Sequence, residues 1–148
     1  MITEYLEVTF KIFLCIFLCA IIGSEREIRH KGAGLRTHIL VGVGSAMIVL
    51  TSFYIFEQYK SITIIDPTRM ITGIVTGIGF LCAGTIIRSG DSEVRGLTTA
   101  ATLWVVSGIG MAVGAGHYSA AIVSTSTVFF ILIGLRSIEY KLKNHFRN

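Results

Sequence analysis

The amino-acid sequence predicts an all-α membrane protein of five transmembrane helices, and three observations predict it. Hydrophobic residues make up 52% of the 148 and charged residues only 15%, against about 25% charged in a soluble domain. Mean hydropathy is +0.71. Apolar stretches recur at close to the length of a bilayer crossing, about 20 residues. The same apolar excess excludes a disordered chain, and 16 Gly with a single Pro suit packed membrane helices.

The first stretch, 6–23, is the weakest, because Glu7 and Lys11 interrupt it. These two lie one helical turn apart, so they are expected to pair and reach the near interface. A cleaved signal peptide would need a basic start and a small-residue cleavage site. Here the start carries Glu4 and Glu7 and Gly23 leads into a charged run, so the segment is expected to stay in the mature protein. Stretches 38–56, 70–87, 97–114 and 119–135 contain no Asp, Glu, Lys or Arg. Only 13 residues follow Leu135, too few for a folded soluble unit, so one transmembrane domain over 1–148 is expected.

Lys and Arg gather in the short cytoplasmic loops of membrane proteins. Arg26, Arg29, Lys31 and Arg36, then Arg88 and Arg95, then Arg136, Lys141, Lys143 and Arg147 place ten on one side. Lys11, Lys60 and Arg69 complete the 13 on the other. The N-terminus is therefore expected outside and the C-terminus in the cytoplasm. Five acidic residues, Glu25, Glu27, Asp91, Glu93 and Glu139, share the inner side, which keeps it basic.

Gly23 to Arg26 leading to Gly34-Leu-Arg-Thr37 parallels Gly84 to Arg88 leading to Gly96-Leu-Thr-Thr99. The two hairpins are candidates for a parallel repeat about an axis along the membrane normal; chance likeness of two Gly-rich hairpins is the other reading. Thr37 and either Thr98 or Thr99 are expected to cap the ascending helices. Two helix N-termini, each partly positive, would then open beside Arg26, Arg36, Arg88 and Arg95 and favour an anionic headgroup, a phosphate or an acidic partner. Small residues recur at Gly73/Gly77, Gly79/Ala83, Gly84, Gly110/Gly114 and Gly42/Ala46. Such faces serve close helix packing, within the chain or across a dimer.

No other chemistry assembles. Cys15, Cys19 and Cys82 lie in apolar runs and read as small buried hydrophobes, not as a disulfide or metal set. Glu25, Glu27, Asp91, Glu93 and Asp66 offer carboxylates for weak Mg²⁺ binding, yet each stands near Arg or Lys. No acidic residue interrupts the four strong apolar runs, where a cation path would place one. His30, His38, His117 and His145 are expected as interfacial side chains. Trp104, mid-helix, is expected to pack against another helix over the Gly73/Gly77 face. No nucleophile, base and orienting group come together, so an enzyme is not expected and neither is a cofactor. The basic residues form no continuous phosphate-tracking groove, so nucleic acid is not an expected partner.

Taken together, Glu25-Arg26 through Ala33-Gly34-Leu35-Arg36-Thr37-His38-Ile39-Leu40-Val41, then Asp66 and Arg69, then Thr76-Gly77-Ile78-Gly79-Phe80-Leu81-Cys82-Ala83-Gly84, and Gly96-Leu97-Thr98-Thr99-Ala100-Ala101-Thr102-Leu103-Trp104 closely resemble the MgtC/SapB family of bacterial inner-membrane proteins. The resemblance runs from about Gly23 to Gly116. It implies a five-span membrane domain tied to growth in low Mg²⁺ and to virulence through survival in host phagocytes. In some relatives it implies restraint of the membrane ATP synthase by binding. Cys82 departs from the family pattern, which usually has Gly there. Many relatives also carry a soluble C-terminal domain that this sequence does not include, so activities needing that domain are not expected of it. The resulting expectation is a regulator linked to magnesium homeostasis that binds a membrane protein or lipid, as a homodimer. The alternative is a dimeric transporter or channel for Mg²⁺ or another small solute.

Overall fold

Helix-favouring residues flank the first apolar run on both sides, and helix α1 accordingly spans Ile2–Ile28, well beyond 6–23. Apolarity marks the stretch that suits a bilayer, whereas the helix continues until a stop signal. That signal is a turn at His30, whose φ of 51° is left-handed. His30 N–H bonds Glu27 O at 2.9 Å and Lys31 N–H bonds Arg26 O at 3.0 Å, the paired bonds of a Schellman closure, in which glycine is usual. Glu7 and Lys11 do pair, at 2.7 Å.

Residues 2–89 and 93–145 are described by the computed structural model, and the side chains of 87–89, 93 and 136–145 lie outside that description. Helix α2 spans Leu35–Tyr59, α3 Thr68–Thr85, α4 Leu97–Gly114 and α5 Tyr118–His145. Each of the five is long and apolar enough to cross a membrane. Between α3 and α4 the backbone forms a two-stranded antiparallel ribbon, β1 (Ile87–Ser89) with β2 (Glu93–Arg95), in which Arg88 faces Val94. The ribbon ends at Gly96, whose φ of +93° and closeness to Thr85 O leave no room for a Cβ. Both ascending helices begin at the Leu after a Gly, Gly34-Leu35 and Gly96-Leu97, but the loops before them differ, one a coil and one a ribbon.

Helix α4 is the centre. Buried residues make up 56% of its spanning window, against 28% for α1 and α2 and 11% for α3 and α5. It runs parallel to α2, and their backbones touch: a Cβ on Gly110 would collide with Gly42 O, and one on Gly114 would lie 2.7 Å from Ala46 O. Ser45 and Ser107 hydroxyls bond across this seam at 2.9 Å. On the far side of Gly42 stand Cys15 and Cys19, both fully buried thiols. Gly23 brings α1 against Leu35 and His38, its Cβ position only 2.9 Å from Leu35 Cα. Small residues thus set the spacing wherever α1, α2 and α4 meet, as expected where lipid is as apolar as the core. Helix α5 joins through Phe10 and Tyr118, edge to face at 5.7 Å. Large apolar side chains such as Phe13, Phe17, Leu40, Phe80 and Phe130 point outward, the arrangement a hydrocarbon solvent favours.

At the end opposite the ribbon, Asp66 opens α3. Its Oδ1 accepts the Thr68 hydroxyl at 2.6 Å and the Thr68 backbone N–H at 2.9 Å, an Asx turn across Pro67. The Thr68 hydroxyl and N–H, with a smaller pull from Arg69, hold the Asp66 carboxyl below its ordinary range. A lowered folded-state pKa contributes stability that is present above the unfolded value and lost as pH falls through the folded one. Asp66→Ala is therefore expected to speed amide exchange in the first turn of α3 at neutral pH, with the difference from wild type vanishing in strong acid. Equal exchange at neutral pH would contradict the cap.

Candidate functional site

Charged side chains on the last turns of α1 line a cavity together with α4 and α5, and two of them, Glu25 and Arg26, are buried. Glu25 is 7% exposed and Arg26 4%. Removing such groups from water costs several kcal/mol each unless they are well paired, and the pairing here is incomplete. Glu25 Oε1 accepts from Arg29 Nε at 2.9 Å, while its Oε2 lies 3.4 Å from Arg26 Nη1. Among the described residues Arg26 Nε has no hydrogen-bond partner. A cavity of about 910 Å³ opens beside the pair. Arg26, Arg29 and Lys31 line one wall, Gly96 to Thr99 at the start of α4 another, and Ile131, Leu132 and Leu135 of α5 a third.

Two helix N-termini lie at this end, and they are finished differently. Glu27 reaches across so that its Oε2 accepts the Leu35 N–H at 3.0 Å. A Cβ on Gly34 would strike that carboxylate, so the glycine makes the approach possible. The positive end of α2 is thus met by a carboxylate of the chain itself. At α4 no side chain among the described residues accepts from Leu97, Thr98 or Thr99, and these residues border the cavity.

The threonine caps expected from sequence are corrected by this geometry. The cap positions belong to Gly34 and Gly96. Glycine there lets the chain turn into the helix two or three residues early, which leaves Thr37, Thr98 and Thr99 inside the first turn. Of the residues expected together at this end, Glu25, Arg26, Thr98 and Thr99 do line one cavity; Arg36 and Arg95 are exposed and stand outside its lining. The side chains of Arg88 and Glu93, and Asp91 altogether, lie outside the described residues. Asp66 and Arg69 sit together at the opposite end, at the start of α3.

The glycine faces divide in the same way. Gly110 and Gly114 are in backbone contact with α2, whereas Cβ atoms built on Gly73, Gly77, Gly79 or Gly84 would meet nothing within 4 Å. Trp104 is 55% exposed and does not cover the Gly73/Gly77 face. Gly73 and Gly77 instead line an open apolar groove of about 530 Å³ between α3 and α2. Cys82, where the family pattern usually has Gly, turns into the α3–α4 contact, its thiol 3.1 Å from Ala100 O.

His38, expected at the interface, is fully buried. Its Nδ1 donates to Gly34 O at 2.8 Å, and its Nε2 lies 3.1 Å from Thr102 Oγ1 on α4. Burial follows from Gly23, which lets α1 close over it. The signal was present in the sequence: His38, Ser45 and Ser52 recur every seven residues, one polar stripe along α2, and all three are buried and bonded. Among the described residues no group of three or more His, Cys, Asp or Glu is placed to hold a metal ion.

Comparison with known proteins gives the ancestry. The MgtC family profile matches residues 12–141. The chain is 39% identical over 140 residues to the putative magnesium transporter YhiD of Escherichia coli K12, covering 93% of this chain and 65% of that one. It is 35% identical to protein SapB of Bacillus subtilis, over 93% of this chain and 59% of that one. To protein MgtC of Salmonella typhimurium it is 41% identical over 127 residues, 86% of this chain and 52% of that one. It therefore spans between about half and two thirds of the length of these relatives. No solved structure matches the chain. Five membrane-capable helices and a match running from the middle of α1 into α5 lead to one conclusion: this multi-pass membrane protein belongs to the MgtC family.

Proposed function

We propose that the protein is a bacterial inner-membrane regulator linked to magnesium homeostasis, acting by binding a membrane partner, with the ATP synthase as first candidate. The observation that carries this reading is the contrast between the two parts of the bundle. The α2–α4 seam at its centre is closed backbone to backbone at Gly42 and Gly110, whereas the end that carries Arg26, Arg29 and Lys31 is open. A closed centre with a basic, accessible end suits recognition better than conduction. The similarity to the putative magnesium transporter YhiD supports the link to magnesium. In this reading the basic end faces the cytoplasm, where Lys and Arg collect.

The second reading, a dimeric transporter or channel for Mg²⁺ or another small solute, is favoured by one feature. Cβ atoms built at Gly73 and Gly77 on α3 would meet nothing within 4 Å among the described residues, so a second copy meeting this open face would place a path between protomers. The regulator reading is tested by adding the protein to proteoliposomes that contain bacterial ATP synthase. ATP turnover is expected to fall, and the fall to ease with added salt or with Arg95→Ala, since exposed charge contacts are screened. Unchanged turnover at every protein ratio would remove the ATP synthase as partner.

A further inference from the structure

We propose that the cavity between the end of α1, the start of α4 and α5 binds a phosphate group, either as the free ion or as the headgroup of an anionic lipid. The site does not depend on the regulator reading, since a transporter could carry it equally. Three independent features of the cavity converge on an anion. The first is the start of α4, where the N–H groups of Leu97, Thr98 and Thr99 have no side-chain acceptor among the described residues. A helix N-terminus carries about half a positive charge and presents N–H groups to oxygen. At α2 the same need is met by Glu27 on Leu35 N–H, and among the described residues no side chain does this for α4.

The second feature is Arg26. It is 4% exposed and lines the cavity, and its Nε has no partner among the described residues. Its contact to Glu25, at 3.4 Å, is long for a charge-assisted hydrogen bond. Glu25 spends its better bond on Arg29. A planar guanidinium matches the oxygens of phosphate, and burial of one so poorly matched points to a missing acceptor. The third feature is charge: among the described residues Arg26, Arg29 and Lys31 line the cavity with one carboxylate, Glu25.

The α5 wall of Ile131, Leu132 and Leu135 adds an apolar surface beside this polar corner. A phosphodiester with an attached glycerol backbone would use both, while inorganic phosphate would use the corner alone. The shared requirement is a tetrahedral oxyanion reaching the Arg26 guanidinium and the first N–H groups of α4.

The test uses the whole chain in nanodiscs of phosphatidylcholine, its thermal unfolding followed as inorganic phosphate is added against chloride of equal ionic strength. A second set of discs replaces part of the phosphatidylcholine with phosphatidylglycerol. Thr98→Glu places a carboxylate at the start of α4, where Glu27 sits for α2. Its side chain is exposed and a glutamate suits that helix position, so the variant should fold. Bound phosphate is expected to raise the unfolding midpoint, with the rise abolished in Thr98→Glu and the phosphate affinity reduced by about tenfold or more in Arg26→Gln. A rise produced by phosphatidylglycerol and not by phosphate, again lost in Thr98→Glu, would identify the lipid headgroup as the source. No rise from either in the wild type, or an equal rise in Thr98→Glu, would overturn the proposal.

Discussion

Replacing Gly110 with leucine is expected to be the most damaging single change in the bundle. A Cβ at this position meets Gly42 O, C and Cα, and backbone cannot rotate away as a side chain can. Helices α2 and α4 must move apart, which also strains the Ser45–Ser107 bond and draws α2 off Cys15 and Cys19. Overpacking of a tight core costs about 1–3 kcal/mol; the loss here is expected at or above about 3 kcal/mol, read as a lower unfolding midpoint and a poor yield of folded protein. Gly77→Leu is the paired control. Its Cβ position is open, so the stability of the single chain should not change. A lower midpoint for Gly77→Leu would then report a second copy on α3. Equal stability for Gly110→Leu and wild type would refute the packing described for α2 and α4.

Glu25→Ala is expected to have the second largest effect. It leaves Arg26 buried without its only carboxylate contact among the described residues and releases Arg29. Removing one partner of a buried pair costs about 3–5 kcal/mol, chiefly through the charge left behind. The loose geometry around Arg26 places the expected loss toward the lower end, about 3 kcal/mol. Denaturation of the purified variant in detergent measures it, and replacing both Glu25 and Arg26 by residues of similar volume should recover much of the loss. A Glu25→Ala midpoint within error of wild type would show that the pair is not buried in the folded protein.

The five crossings were legible because apolar run length is a one-dimensional property. Helix limits were less so. Nothing apolar distinguishes Glu25 and Arg26 from a loop, and their burial depends on α4 and α5, which begin only at Leu97 and Tyr118. His38 was misplaced for the same reason, since Thr102, its partner, is 64 residues away. The glycine motifs show where a pattern alone fails. Gly73-x-x-x-Gly77 and Gly110-x-x-x-Gly114 have the same spacing, yet one faces outward and the other touches α2, and which face a helix turns inward is set by its neighbours. The basic end was readable from charge counts. That Glu27 meets the start of α2 was not, because that depends on an eight-residue reach across a turn.

The account holds that this bundle is closed through its centre and works by recognition at its basic end. The most direct measurement is Mg²⁺ flux into sealed liposomes that contain only the purified protein, followed with an entrapped Mg²⁺-sensitive dye under an inward gradient. The account predicts uptake no faster than in protein-free liposomes, for the wild type and for Glu25, Asp66 and Asp91 replacements alike. Rapid uptake by the wild type that is lost on replacing those carboxylates would contradict it and establish the protein as a transporter.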